Sequence, residues 1–233
     1  MNSGIVVLAE PRVSLCGSAA LLLDAEGPLA LPTQERIWRL SNRVRSWDGV
    51  IDVQPGMNSL LVLLEPHHVD PAELSARLLE MWPTVEAGGV AGRLLEVGVV
   101  YGGEGGQDLA DVAAHHRLGP ETVVALHAAA EYVVFAPGVS PGFGYLFGLD
   151  PRLFTPRRKV PVMRVVGGSV SIGGGQANLG KPSVEGGPAM QPTGWYTIGR
   201  ASEVPIPFDL AKDPPNLLSL GDRIRFRVDR IEE

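Results

Sequence analysis

The groups best able to do chemistry crowd into the middle of the 233-residue chain. Gly138-Val139-Ser140-Pro141-Gly142-Phe143-Gly144-Tyr145 is followed downstream by Pro156-Arg157-Arg158-Lys159. Glycines let backbone amides come close to a ligand. The Tyr145 hydroxyl adds a hydrogen-bonding group, and the cations of Arg157, Arg158 and Lys159 can hold a carboxylate or a phosphate. Two readings fit these residues: an anion site, or a tight turn beside a solvated run of charge. His127 stands late in a predicted helix, shortly before Tyr132 and just ahead of the glycine-rich loop. An imidazole there is either a core or helix-end residue or a group that titrates in the physiological range. Glu104, in Tyr101-Gly102-Gly103-Glu104, is a candidate acid or base, set against the ordinary reading of an exposed loop carboxylate.

Two other patterns fall short of chemistry. Gly175-Gln176-Ala177-Asn178-Leu179-Gly180-Lys181 approaches a phosphate-binding loop, but Pro182 stands where Ser or Thr must ligate magnesium. Pro182, Gly186, Gly187 and Pro188 also exclude the helix whose first amides would face the phosphate, so a glycine-rich hairpin is predicted instead. The adjacent pairs His67-His68 and His115-His116 lack the spacing that puts two imidazoles on one helix face, and no metal site is expected.

These groups need elements to hold them. A short apolar run over 18–23 suits a buried strand. Ile37, Leu40, Val44 and Trp47 then fall at helical spacing, with Arg36, Arg39, Arg43 and Arg45 mostly off that stripe and Gly49 placed as a stop. Runs over 50–53 and 59–64 read as two strands joined across Pro55-Gly56. Asp70-Pro71, with Glu73 completing a capping-box pattern, opens a second helix carrying Leu74, Leu78 and Met81. Strand, helix, two strands, helix is most of a split β-α-β, ferredoxin-like α+β domain, predicted over 1–90, with Gly88-Gly89 and Gly92 as the seam.

Beyond the seam, 94–101 resumes strand character, two short helices follow over 108–115 and 120–130, and 132–135 returns to strand. Short β-prone pieces at 160–166, 169–172, 195–198 and 223–228 sit between turn residues. They predict a mainly-β, closed or nearly closed barrel over 91–233. An open strand edge on such a barrel would template pairing, so the isolated chain is expected to self-associate where no partner completes it.

Composition narrows the classes. Apolar residues make up 45% and charged residues 20%, an ordinary globular balance, and the 29 glycines and 20 prolines predict many turns. A net charge of −6 supplies no overall basic field, so nucleic acid is not an expected partner. Cys16 is the only cysteine, which excludes an internal disulfide and a cysteine-rich zinc site and fits a reducing cytoplasm. No basic, apolar leader opens the chain and no run reaches about eighteen apolar residues, so neither export nor membrane insertion is expected.

Taken together, several of these stretches resemble a known family. They are Tyr101-Gly102-Gly103-Glu104 with Asp108-Leu109, His127 with Tyr132-Val133-Val134, and Pro141-Gly142-Phe143-Gly144-Tyr145-Leu146 with Gly148-Leu149. Pro156-Arg157-Arg158, Gly168-Ser169-Val170-Ser171-Ile172, Gly175-Gln176, Gly194-Trp195, Ile198-Gly199-Arg200 and Gly221-Asp222 follow in the same order. The pattern is similar to the B subunit of 5-oxoprolinase, also known as allophanate hydrolase subunit 1 or the KipI-like carboxyltransferase family.

The resemblance implies a cyclophilin-like barrel after the α+β domain and a heteromeric complex. The partners would be a second cyclophilin-like protein, the C subunit or KipA type, and a LamB/YcsF-type protein that forms the A subunit. That complex would open 5-oxoproline to glutamate with ATP. It further implies catalytic roles for His127, Glu104 and Arg157. Tyr132, Gly142, Phe143, Tyr145, Arg158, Lys159 and Gln176 would bind the substrate. Two other functions accompany the family: KipI-like inhibition of a sensor histidine kinase, and a carboxyltransferase component of the allophanate hydrolase or urea carboxylase type. This chain departs from the usual pattern at Gly138-Val139 and at Val160-Pro161-Val162. It departs again at Gln176-Ala177-Asn178-Leu179-Gly180, where members read Gln-Thr-Gly-Ile-Tyr.

Overall fold

Alternation sets the first sheet. In β4 (Ser59–Leu64), Leu60, Val62 and Leu64 face the core while Ser59, Leu61 and Leu63 stay half-buried on the other side. The computed structural model describes residues 7–88, 92–138, 141–142, 144–165, 167–180 and 190–233. Its contacts divide the chain into two units, Met1–Val90 and Ala91–Glu233.

The first unit holds β1 (Arg12–Leu15), β2 (Ala20–Asp24), α1 (Leu31–Val44), β3 (Val50–Pro55), β4 and α2 (Pro71–Met81). Its sheet runs β1-β2-β4-β3, antiparallel throughout, so β4 lies between the two strands that α1 connects. Edge strand β1 was not legible in the sequence. Helix α1 buries Ile37, Trp38, Leu40 and Val44. It ends at Val44, earlier than the spacing of Trp47 and Gly49 predicts, and Gly49, at φ +72°, instead turns the chain into β3. At the start of α2 the Asp70 carboxylate accepts from the Ala72 amide at 2.8 Å, with Pro71 in the first turn.

The second unit is built from β5 (Leu94–Gly102), α3 (Leu109–His116), α4 (Pro120–Ala129), β6 (Glu131–Pro137), β7 (Gly144–Phe147), β8 (Val162–Val165), β9 (Ser169–Gly173), β10 (Gln176–Leu179), β11 (Met190–Thr193), β12 (Tyr196–Ala201) and β13 (Arg223–Glu232). Seven strands close a barrel in the order β10-β7-β6-β13-β5-β12-β9, with the β9–β10 hairpin sealing it. Strands β5 and β13, from opposite ends of the unit, pair in parallel. Val97, Val99, Leu146, Val170, Ile172, Ala177, Ile198 and Ile224 fill the interior.

Two expectations change here. The piece at 160–166 is not a barrel strand, because β8 pairs with β11 as a separate two-stranded ribbon. The barrel is also closed, which removes the open edge that suggested self-association. Gln176–Leu179 is a strand, as the rejection of the phosphate loop required, while Lys181 lies outside the described residues.

Candidate functional site

The period of two separates core from flank on the barrel wall. Leu146, Ala177 and Ile172 point inward, which leaves Tyr145, Gln176 and Gly173 facing out. Gln176 pairs with Phe147 on one side and Gly173 on the other. A Cβ at Gly173 would stand 2.9 Å from Trp195 Cε3 and 3.3 Å from Arg157 Cγ, so the missing side chain lets both residues lie against the strand.

The Arg157 guanidinium sits 4.4 Å from the centre of the Trp195 ring, and its Nη2 donates to Gln176 Oε1 at 3.0 Å. The Tyr145 ring is nearly parallel to that of Trp195, at 18° and 6.4 Å between centres. Arg157 is nonetheless exposed. A cation held by stacking and one hydrogen bond, with its other edge toward solvent, is pre-organised to receive a carboxylate or phosphate. Arg157, Tyr145 and Gln176 therefore come together from three separate stretches. Trp195, expected as the start of a strand piece and as part of the Gly194-Trp195 motif, is their common platform.

Arg158 is spent elsewhere. Asp108, wholly buried at the start of α3, accepts from Arg158 Nη2 at 2.7 Å, from Arg164 Nη2 at 2.7 Å and from the Thr197 amide at 2.9 Å. Arg158 also lies 4.1 Å from the centre of the Tyr196 ring, and its own amide donates to Gly194 O. The hydrogen bonds from Arg164 to Asp108 hold its proton more tightly than usual. Arg158, expected among the substrate-binding residues, answers a buried carboxylate. This clamp fixes the backbone next to both Arg157 and Trp195. Lys159 is exposed beside it.

His127 and Tyr132 belong to the barrel core. His127 is 0% exposed, its Nδ1 hydrogen-bonds the Tyr101 hydroxyl at 2.8 Å, and its ring lies among those of Tyr132 and Phe226. The Tyr132 hydroxyl donates to His127 O at 2.9 Å. Burial pushes the His127 imidazole down to about 3 and both tyrosines upward, so all three stay neutral. His127 and Tyr132, expected as a catalytic and a binding residue, thus lie in the buried core and apart from the Arg157 flank. Glu104 is exposed on the turn Gly103–Gly106.

Among the described residues of the glycine loop, Tyr145 meets the Arg157 group while Gly142 lies elsewhere. Gly142, at φ +72° and with Pro207 O only 1.8 Å from where its Cβ would be, borders a recess of about 310 Å³ counted out to open solvent. Gly144, Leu146, Leu179, Pro205, Pro207 and Leu217 line it, and among the described residues no charged side chain does. Phe143, Val139 and Ser140 lie outside the described residues. Among the described residues no group of His, Cys, Asp and Glu is arranged to hold a metal, and no helix is long and apolar enough to cross a membrane.

Residues 11–218 match the family model of the carboxyltransferase domain, subdomain C and D. The chain is 42% identical to the 5-oxoprolinase B subunit of Escherichia coli O157:H7, over 92% of this chain and 94% of the relative. It is 36% identical to the B subunit of the same enzyme from Haemophilus influenzae, over 92% of this chain and 96% of the relative. In three dimensions it is similar to the Kluyveromyces lactis urea carboxylase, with a TM-score of 0.74 over 98% of this chain and 23% of that one. At 18% identity that likeness is one of fold alone.

Proposed function

The chain belongs to the carboxyltransferase-domain family, subdomains C and D, and from that premise we propose that it is a subunit of an ATP-dependent lactam hydrolase complex of the 5-oxoproline-to-glutamate type. The observation that carries this reading is the Arg157 guanidinium held over Trp195 and bonded to Gln176 on an exposed flank. In this reading Arg157 takes the carboxylate of 5-oxoproline, while Gln176 and Tyr145 orient the ring. A lactam carbonyl is a poor electrophile, which is why opening it with water is coupled to ATP.

In the glycine run resembling a phosphate loop, Gln176–Leu179 is a strand. ATP is used by the complex of this chain with its partners, and no step on this chain is derived through it. Those partners are the KipA-type cyclophilin-like protein and the LamB/YcsF-type protein, with the barrel here taken as cyclophilin-like, the first unit as ferredoxin-like and the complex as cytoplasmic. Glu104, exposed on its turn, is the acid or base of this reading.

The test is to co-purify the chain with both partners and measure ATP consumption with and without 5-oxoproline. Substrate-dependent turnover is expected, and its absence from a verified complex rejects the proposal. A second reading, KipI-like docking on a sensor histidine kinase, is favoured by one observation: Val160, Met163 and Met190 are 75%, 51% and 51% exposed on and beside the β8–β11 ribbon.

A further inference from the structure

Asn178 stands two residues beyond Gln176 on β10, with Ala177 between them turned into the core, so Asn178 shares the outer flank with the Arg157 group. Its register partner on β9 is Ser171, which in turn lies opposite Thr197 on β12. One step beyond the Ala177–Leu146 pair, the same register sets Tyr145 beside it on β7. Asn178 thus continues the face that carries Tyr145, Gln176, Trp195 and Arg157.

Its amide oxygen is the unexplained atom of that face. Asn178 Oδ1 is buried and has no hydrogen-bond partner. A buried acceptor left unpaired costs stability, and folded proteins rarely keep one without a use for it. What satisfies a carbonyl oxygen is an N–H donor, and the acceptor here belongs to the same strand face as Gln176, which holds the Arg157 guanidinium.

We infer that Asn178 is a specificity-determining residue whose Oδ1 accepts the ring N–H of a lactam while Arg157 holds the carboxylate of the same molecule. The inference rests on the lactam reading proposed above. A site built to receive an N–H rejects an analogue that lacks it, because the acceptor is then left unpaired and faces the lone pairs of the replacing oxygen.

The experiment uses the complex of this chain with its partners and two probes measured by calorimetry. One is 5-oxoproline and the other is 5-oxotetrahydrofuran-2-carboxylate, the lactone in which oxygen replaces the N–H. The unaltered complex is expected to bind the lactam about 10- to 100-fold more tightly than the lactone. Asn178→Ala and the near-isosteric Asn178→Leu bring that ratio close to one by weakening the lactam alone. A ratio that survives in a folded variant, or equal affinities in the unaltered complex, overturns the inference while leaving the lactam reading in place. Binding of neither probe to the unaltered complex overturns both. If Asn178→Ala fails to fold, Asn178→Leu and the unaltered ratio still decide.

Discussion

Acidification should destabilise the barrel through His127, by an amount the structure sets. The imidazole is 0% exposed in the native state, and burial lowers it from 6.5 to about 3. Between those values the unfolded chain holds a proton on His127 that the native chain does not. Stability is therefore fully present above about pH 6.5 and falls as pH drops, by about 1.4 kcal/mol per unit. From pH 6.5 to 4.5 the loss from this group is about 2 kcal/mol, and by pH 3 it reaches about 4 kcal/mol.

The assay is urea unfolding of the chain and of His127→Gln at half-unit steps from pH 7.5 to 4.5, followed by far-UV circular dichroism. Gln keeps a polar group near the Tyr101 hydroxyl and cannot titrate, so the difference between the two curves isolates His127 from the carboxylates. That difference should change by about 2–3 kcal/mol across the range, with the variant gaining relative stability in acid. Parallel curves would mean that water reaches the imidazole, and the burial argument against a catalytic His127 would fail with it.

Three further outcomes follow from the same geometry. Arg164→Met leaves buried Asp108 with one guanidinium and the Thr197 amide, and denaturant unfolding of the barrel should show a loss of about 3 kcal/mol, at the low end for a broken buried pair. Gly173→Ala pushes a methyl to 2.9 Å from Trp195 Cε3, so the barrel should lose about 1–3 kcal/mol and the tryptophan emission should change as the Arg157 stack is displaced. An unchanged emission spectrum would contradict the packing described for Trp195. Glu104→Gln, exposed and remote from the core, should leave stability within about 0.5 kcal/mol, and only a fall in substrate-dependent ATP consumption would support its acid–base role.

Local pattern carried the parts of the fold that local energetics decide. Ile37, Leu40 and Val44 mark α1 because their spacing exposes one apolar face, and Asp70-Pro71 marks the start of α2 because the first turn needs an acceptor and tolerates a missing N–H. The strand pieces at 169–172, 195–198 and 223–228 were legible for the same reason. Which sheet a strand joins is a long-range matter. The piece at 160–166 has the same β character as its neighbours, yet β8 pairs with β11 outside the barrel.

The site divides in the same way. The three cations stand out in the sequence, but only the folded chain shows that Arg158 meets Asp108, fifty positions away, while Arg157 meets Gln176. His127 read as a residue near the loop because its place in α4 was clear. Its burial comes from Tyr101 on β5 and Phe226 on β13, which no helical spacing reports. Trp195 was named in the sequence as part of a strand piece and of the Gly194-Trp195 motif, but only the folded chain shows Gly173 making room for it beside Arg157.

Every role proposed for the outer flank depends on Arg157, held by Trp195 and Gln176, receiving the carboxylate of the substrate. The decisive experiment is calorimetric titration of 5-oxoproline into the assembled complex, once with the native chain and once with Arg157→Met. Binding should weaken at least about tenfold in the variant, as the loss of a charge-assisted pair requires, with the unfolding curve of the chain unchanged. Equal affinity in the two complexes would show that the carboxylate is held elsewhere.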